Sequence, residues 1–226
     1  MIVLITDPRK SDTQLVDIAS EACRAIPSGE LAVLFRDNTR DAYGVFDVAQ
    51  RLQKIAHNHH QLFFLTRRHL RVAWEIPVDG LHMNEEKPDA TARVKLLPSP
   101  KVTMSVPAHS DADVTHAVTH EIDRVLVSPI FATPNKGEPR GLDAIRNAAK
   151  IRGDHALRLV SNHETHAPEG RIAKIIALGG IDASNAQSCI EAGADGVAVI
   201  RAILDARDPF EASRALWDAV IASKER

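Results

Sequence analysis

Eight short apolar runs alternate with amphipathic segments along this chain, and this alternation limits the folds that it can adopt. The amphipathic segments include Thr13–Ile26, Ala42–Ala56 and Ser110–His120. Such alternation predicts parallel strands joined by crossover helices, and eight runs in 226 residues predict a single (β/α)8 TIM-barrel domain spanning residues 1–226. An open doubly wound sheet is the alternative, but no G-x-G-x-x-G motif follows the first run. The predicted strands are Ile2–Thr6, Leu31–Phe35, Leu62–Leu65, Gly80–Met83, Val102–Ser105, Arg124–Val127, Ile172–Leu178 and Gly196–Ile200.

The last third of the chain contains a double glycine directly after a buried strand. Gly179 and Gly180 follow the apolar run, and Asp182 or Ser184 offers an N-cap for a helix that runs to about Ala192. Glycines let the backbone approach a ligand closely, and the last two strand-loop units of a (β/α)8 barrel often hold a phosphate. The sequence therefore predicts a phosphate site here, with a tight turn of no binding function as the alternative.

Cationic side chains follow several of the predicted strands. In a (β/α)8 barrel the functional groups lie at the carboxyl ends of the strands, so these side chains would share one rim. Each one taken singly is explained as a solvated loop charge, but several on one rim predict a site for a phosphorylated, anionic ligand. The cations concerned are Arg36, Arg67, Arg68, Lys136 and Arg201.

Composition narrows the function further. The formal net charge of −2 gives no reason to expect a nucleic acid partner, and no apolar run is long enough to span a membrane. We therefore expect a cytoplasmic protein that binds a small molecule and could form a homo-oligomer. Cys23 and Cys189 lie far apart in predicted helices, which favours neither a disulfide framework nor a zinc site. The polar segment 153–170 predicts an extended connection with a short strand at Leu157–Val160.

Two motifs in this order resemble the thiamine phosphate synthase and TenI family. They are VSPIFATPNKGEPRG, residues 127–141, and ALGGIDASNAQSCIEAGADGVAVIRAI, which contains the double glycine. LITD, VDGLHM and SVPAHS at the first, fourth and fifth strands support the match. The resemblance implies a (β/α)8 barrel that binds a thiazole phosphate, with Arg201 standing where the family usually has Ser. The residues that it implies for substrate binding are Arg36, Ser105, Thr133, Asn135, Lys136, Gly179, Gly180, Ile200 and Arg201.

The family contains two kinds of enzyme, and the resemblance implies different chemistry for each. Synthase members join a pyrimidine diphosphate to a thiazole phosphate, lose pyrophosphate and use Mg²⁺. The Asn-Asp pair expected at the third strand is Arg67 and Arg68 here, and the second metal-binding Asp aligns with Lys87, or with Glu86 if the register slips. Cations do not ligate magnesium, so no metal ligand is predicted and Mg²⁺ is expected only if the synthase reaction is retained.

TenI-like members keep the phosphate site and isomerise a thiazole carboxylate phosphate with a histidine. His109 falls at that histidine if the preceding loop carries a two-residue insertion, and the alternative is that it caps the next helix beside Ser110. The sequence thus favours TenI-like proton transfer with His109 as the catalytic residue. A true synthase, a non-catalytic protein that binds a phosphorylated metabolite, and another phosphate-binding barrel enzyme remain the alternatives.

Overall fold

Eight parallel strands close into one barrel, which confirms the predicted (β/α)8 fold. The computed structural model of the chain describes residues 1–83, 101–134, 136–161 and 172–222, with the backbone alone for 158–161. Each strand pairs with its sequence neighbours, and the first pairs with the last. The strands are β1 Ile2–Ile5, β2 Leu31–Phe35, β3 Leu62–Thr66, β4 Gly80–His82, β5 Thr103–Ala108, β6 Arg124–Val127, β7 Lys174–Leu178 and β8 Gly196–Val199.

Helices surround the barrel, and a 3₁₀ turn at Arg67–His69 follows β3. Ser11 begins the first helix with a capping box, in which its hydroxyl accepts from the backbone N–H of Gln14. Over the described ranges, no helix is both long enough and apolar enough to cross a bilayer. The helices are α1 Asp12–Ala25, α2 Ala42–Asn58, α3 Leu70–Ala73, α4 Asp111–Thr119, α5 Gly141–Ser161, α6 Ala186–Glu191, α7 Arg201–Leu204 and α8 Pro209–Ile221.

The predicted strand at Leu157–Val160 is wrong, because α5 continues through these residues to Ser161. Gly153 and the polar residues after it favour a break when read locally. The helix is already formed and packed on the barrel through Ile145 and Ala148, and extending it past one glycine costs only about 1 kcal/mol relative to alanine. Residues 162–170, the rest of the predicted connection, lie outside the described ranges.

The barrel interior is filled with side chains, so a ligand can enter only at one end. A cluster of buried apolar side chains that includes Ile5, Leu34 and Phe64 occupies the centre. Near the amino ends of the strands, the Arg124 guanidinium lies 4.8 Å from the centre of the Phe64 ring and donates to Thr103 Oγ1 at 2.7 Å. The open end is therefore the one at the carboxyl ends of the strands, where barrel enzymes place their sites.

Three aspartates tie the strands together at the opposite, amino-terminal end. Asp79, Asp123 and Asp195 each stand directly before an even-numbered strand. Each carboxylate accepts a backbone N–H from the second residue of the preceding strand, at 2.6–2.8 Å. Since a buried N–H without an acceptor is costly, these bonds stabilise the lower rim. The N–H donors are those of Phe63, Met104 and Ile175.

Candidate functional site

A cavity of about 970 Å³ opens at the carboxyl ends of the strands. Apolar side chains such as Leu34 and Leu126 form part of its lining, and polar groups from several loops complete the wall. We call this space the mouth cavity. Eight of the residues predicted from the sequence line it, namely Arg36, His109, Thr133, Lys136, Gly179, Gly180, Ile200 and Arg201.

The double glycine forms a turn that only glycine fits comfortably. The φ angles are +109° at Gly179 and +65° at Gly180, both in the region that L-residues rarely adopt. A Cβ on Gly180 would lie 2.8 Å from the Ala132 carbonyl oxygen. The Phe131 N–H donates to the Gly179 carbonyl at 3.0 Å. The turn and the loop after β6 are therefore in direct backbone contact at the edge of the mouth cavity.

The helix after this turn begins later than the sequence predicts. Neither Asp182 nor Ser184 is its N-cap, because α6 starts at Ala186 with Asn185 before it. The Asp182 carboxylate instead accepts from the Ser184 N–H at 2.9 Å and from its hydroxyl at 2.5 Å, which closes a local Asx-type turn. The Asn185 side chain donates to the Gly180 carbonyl at 2.9 Å and holds the glycine turn in place.

The loop after β6 brings a hydroxyl and an ammonium group to the same side of the mouth cavity. Thr133 Oγ1 donates to the Phe131 carbonyl at 3.1 Å, and the Lys136 N–H donates to the Thr133 carbonyl at 3.2 Å. The Lys136 side chain is exposed at the cavity wall. Asn135, the remaining predicted donor of this loop, lies outside the described residues. Lysine and the glycine backbone together offer groups suited to a phosphate, and Thr133 stabilises the loop that carries Lys136.

Arg201 is the first residue of α7, and it lies between two spaces. It lines the mouth cavity and also a smaller cavity of about 150 Å³ beside it. Arg9 and Lys10, from the loop after β1, line the smaller cavity as well. Arg201 therefore extends the positive charge of the phosphate side toward that loop without closing the mouth cavity.

On the opposite side, polar side chains follow β2, β4 and β5. Arg36 and His82 line the mouth cavity. Ser105 does not line it, but its Oγ lies 3.0 Å from His82 Nδ1 on the paired strand. Burial, and secondarily the charge of Arg36, lowers the pKa of His82 to about 4, so the imidazole is neutral near pH 7. The sequence places His82 at the carboxyl end of β4, the rim where functional side chains of a barrel lie, but not its contact with Ser105.

Arg36 is half-buried, and hydrogen bonds to Thr6 fix its backbone. Thr6 Oγ1 accepts the Arg36 N–H at 2.8 Å and donates to the Arg36 carbonyl at 3.1 Å. Desolvation lowers the pKa of the guanidinium, and the charge of Asp7 partly opposes this effect. The Asp7 carboxylate is itself bound by the Arg9 guanidinium, at 2.7 and 3.1 Å. Among the described residues, none accepts a hydrogen bond from the Arg36 guanidinium.

An ionic network around the buried Asp37 fixes the loop that follows Arg36. The Asp37 carboxylate accepts from Arg40 Nε at 2.8 Å, and the other end of the Arg40 guanidinium binds both oxygens of Asp12 at 2.8 and 2.9 Å. These donors, with the hydroxyl and backbone N–H of Thr39, hold the pKa of Asp37 well below its usual range despite burial. His69 Nε2 contacts the Asp37 carbonyl at 2.7 Å. The network makes this end of β2 a rigid support for Arg36.

His109 directly follows β5, which runs three residues further than predicted, to Ala108. Ser110 is the N-cap of α4, and its hydroxyl accepts from the Asp113 N–H, so the His109 imidazole does not cap this helix. His109 Nδ1 instead lies 3.2 Å from the Ser128 carbonyl oxygen and 3.3 Å from Ser128 Oγ. A proton on Nδ1 would be donated to that carbonyl and would leave Nε2 as a proton acceptor.

The carboxyl end of β3 presents arginines in place of carboxylates. Arg67 and Arg68 lie in the 3₁₀ turn, and neither lines the mouth cavity. Arg68 is exposed, and its Nε contacts the Arg40 carbonyl at 3.4 Å. Lys87 and Glu86 lie outside the described residues. Within the described ranges, no three His, Cys, Asp or Glu side chains come together as metal ligands. This part of the chain therefore does not fit Mg²⁺, which needs several oxygen ligands.

Sequence comparisons agree with the fold and the motifs. The family model described as thiamine monophosphate synthase matches residues 2–203. A thiamine-phosphate synthase of Geobacillus kaustophilus is 30% identical over 228 residues, which cover 100% of this chain and 94% of that protein. One of Gloeobacter violaceus is 30% identical over 210 residues, or 92% of this chain, and the chain spans only 54% of that relative's length.

Comparison with solved structures supports the same architecture. A thiamine phosphate pyrophosphorylase from Pyrococcus furiosus superposes with a TM-score of 0.77 at 22% identity, covering 98% of this chain and 96% of the other. An orotidine 5'-phosphate decarboxylase from Pyrococcus horikoshii superposes with a TM-score of 0.64 at 17% identity, covering 97% and 99%. At these identities the superpositions show the fold alone. Taken with the match of the family model over most of its length, the motifs and the barrel establish that this chain belongs to the thiamine monophosphate synthase family.

Proposed function

We propose that this chain binds a thiazole phosphate in the mouth cavity and couples it to a pyrimidine diphosphate, with release of pyrophosphate. The observation that carries the proposal is the mouth cavity itself, which has phosphate-type donors on one side and Arg36 on the other. Its volume of about 970 Å³ lies at the upper end of small-molecule sites and gives room for two substrates. The relatives named thiamine-phosphate synthase favour this reaction over the proton transfer that the sequence motifs favour.

Each side of the cavity supports one half of the reaction. Lys136 and the glycine turn offer charge-assisted and backbone hydrogen bonds to the phosphate of the thiazole. Arg36 faces them and offers a planar, bidentate donor to the diphosphate that leaves. Because pyrophosphate departs with the electron pair of the broken carbon–oxygen bond, a fixed positive charge beside it stabilises the transition state.

Thiamine phosphate formation tests the proposal directly. Purified protein is supplied with the pyrimidine diphosphate and the thiazole phosphate, and the product is measured by liquid chromatography with mass detection. Lys136→Ala is expected to weaken thiazole phosphate binding about 10- to 100-fold, the usual cost of losing a charged donor. Lys150→Ala, on the exposed face of α5, is the matched control and should leave binding unchanged. Unchanged affinity in Lys136→Ala would refute this phosphate site.

His109 supports a second candidate, the isomerisation of a thiazole carboxylate phosphate by proton transfer. Its imidazole lines the mouth cavity, and contact with Ser128 fixes the ring orientation. His109→Ala should then abolish isomerisation while binding of the phosphate ligand persists, and His155→Ala, on α5, should change neither. Full isomerase activity in His109→Ala would remove this residue from the mechanism. If the protein binds thiazole phosphate tightly but performs neither reaction, it is a binding protein for a phosphorylated metabolite.

A further inference from the structure

Three carboxylates that the structure describes around the mouth cavity are already engaged by groups of this chain. Asp7 is bound by Arg9, Asp205 forms an ion pair with Lys10 at 2.8 Å, and Asp182 closes its local turn. A Mg²⁺ ion keeps near-octahedral oxygen ligation and would have to displace these partners. These described carboxylates are thus not free to hold a Mg²⁺ ion for a diphosphate.

The Arg36 guanidinium has the opposite character, since it is half-buried and its donors meet no acceptor among the described residues. Its backbone is fixed by Thr6, and the network of Asp37 and Arg40 supports the loop that follows. Burying a charged group without a partner costs free energy, and an anionic ligand would remove that cost. The backbone of Arg36 is therefore held in place, and the five N–H donors of its planar guanidinium remain available to an anion.

We propose that Arg36 supplies the positive charge that the diphosphate requires, so that this chain binds a diphosphate without a divalent metal ion. The inference rests on the proposed function, because only the coupling reaction brings a diphosphate into the mouth. In this proposal Arg36 neutralises the charge of the diphosphate, a role for which the family resemblance implies Mg²⁺. His82 beside it contributes no charge near neutral pH, so among the described lining residues Arg36 is the cation on this side of the cavity.

Binding of inorganic pyrophosphate, measured by isothermal titration calorimetry with the whole chain, tests the inference. One titration is made in EDTA and one in millimolar Mg²⁺. Binding in EDTA is expected to be at least as tight as in Mg²⁺, because magnesium sequesters free pyrophosphate in solution. Binding that appears only when Mg²⁺ is present would overturn the inference. This comparison uses the unmodified protein, so it does not depend on how any variant folds.

Two arginine variants then identify the side chain responsible. Arg36→Ala is expected to weaken pyrophosphate binding in EDTA about 10- to 100-fold. Arg68→Ala, at the end of the neighbouring strand but outside the cavity lining, should leave it unchanged. Equal binding by Arg36→Ala and the unmodified protein would also overturn the inference.

A parallel titration with thiazole phosphate separates this inference from the proposed function. If thiazole phosphate binds and pyrophosphate needs Mg²⁺, metal-independent binding fails while the coupling reaction stands. If pyrophosphate binds in EDTA through Arg36 but no thiamine phosphate forms with both substrates, the proposed function fails while the diphosphate site stands.

Discussion

Replacing Gly180 with alanine tests whether the contact between the glycine turn and the loop after β6 shapes the phosphate side. Gly180 has φ +65°, where an L-residue costs about 1–2 kcal/mol. The added methyl group would also lie 2.8 Å from the Ala132 carbonyl oxygen and 2.8 Å from Phe131 Cβ. Since real Cβ atoms almost never approach so closely, the loop must shift, and overpacking of this kind costs about 1–3 kcal/mol.

The two costs together predict a loss of about 2–5 kcal/mol in the free energy of unfolding. For a chain of this length the midpoint of thermal unfolding then falls by roughly 4–20 °C. Circular dichroism during heating measures the midpoint, and chemical denaturation measures the free energy. Thiazole phosphate affinity should fall too, because the shifted loop carries Thr133 and Lys136.

Gly153 provides a control, because replacing it with alanine should raise the free energy of unfolding instead of lowering it. It lies in α5 on an exposed face, and a Cβ added there meets no atom within 4 Å. Gly153→Ala should therefore stabilise the protein by about 0.5–1 kcal/mol through helix propensity. If Gly180→Ala retains the stability and affinity of the unmodified protein, the close approach of the two loops is refuted.

Three further predictions concern stability and thiol reactivity. Asp195→Ala removes the acceptor of the Ile175 N–H and should lower the free energy of unfolding by about 1–3 kcal/mol in urea, whereas exposed Asp143→Ala should change it little. Equal effects of the two substitutions would contradict a stabilising role for the Asp195 hydrogen bond. Burial lowers the pKa of His82 to about 4, so as the pH falls the unfolded chain binds a proton at this histidine before the folded chain does. The free energy of unfolding should therefore decrease from about pH 6.5 toward pH 4. His82→Gln should reduce this dependence on pH, and an unchanged dependence would refute the prediction. Burial raises the pKa of Cys23 to about 12, so iodoacetamide at pH 8 should label this thiol only after unfolding; rapid native labelling would contradict its burial.

The barrel could be predicted from the sequence because its signals are local and repeated. Each apolar run is short, and most are bounded by a turn signal or a helix cap, such as the Ser11 capping box before α1. The prediction failed where a local signal was read as the end of an element. Gly153 and the polar residues after it indicated an end to the helix, but a helix already formed is extended at small cost, and α5 continues to Ser161.

The residues on the proposed phosphate side could also be located from the sequence, because each part of this side is built by residues close together in the chain. Gly179 and Gly180 form their turn within two residues, and Thr133 and Lys136 share one loop. The first residue of α6 could not be predicted from the sequence. Asp182 is a strong N-cap type, yet its carboxylate binds Ser184 instead, and both arrangements satisfy the same acceptor.

On the opposite side of the cavity, the sequence predicts Arg36 and Ser105 as binding residues, but how the side chains there pair depends on the register between strands, which cannot be read from the sequence. The pairing of β4 with β5 sets His82 opposite Ser105, and their hydrogen bond turns a predicted binding residue into a support for a histidine. Arg36 is half-buried by the packing of several strands, and its guanidinium meets no acceptor among the described residues because Asp7 pairs with Arg9. Since a half-buried cation without an acceptor is costly, this arrangement supports the proposal that an anionic ligand binds in the mouth. Sequence motifs thus indicate the family to which this chain belongs, whereas the burial and hydrogen bonding of Arg36 follow from the tertiary structure.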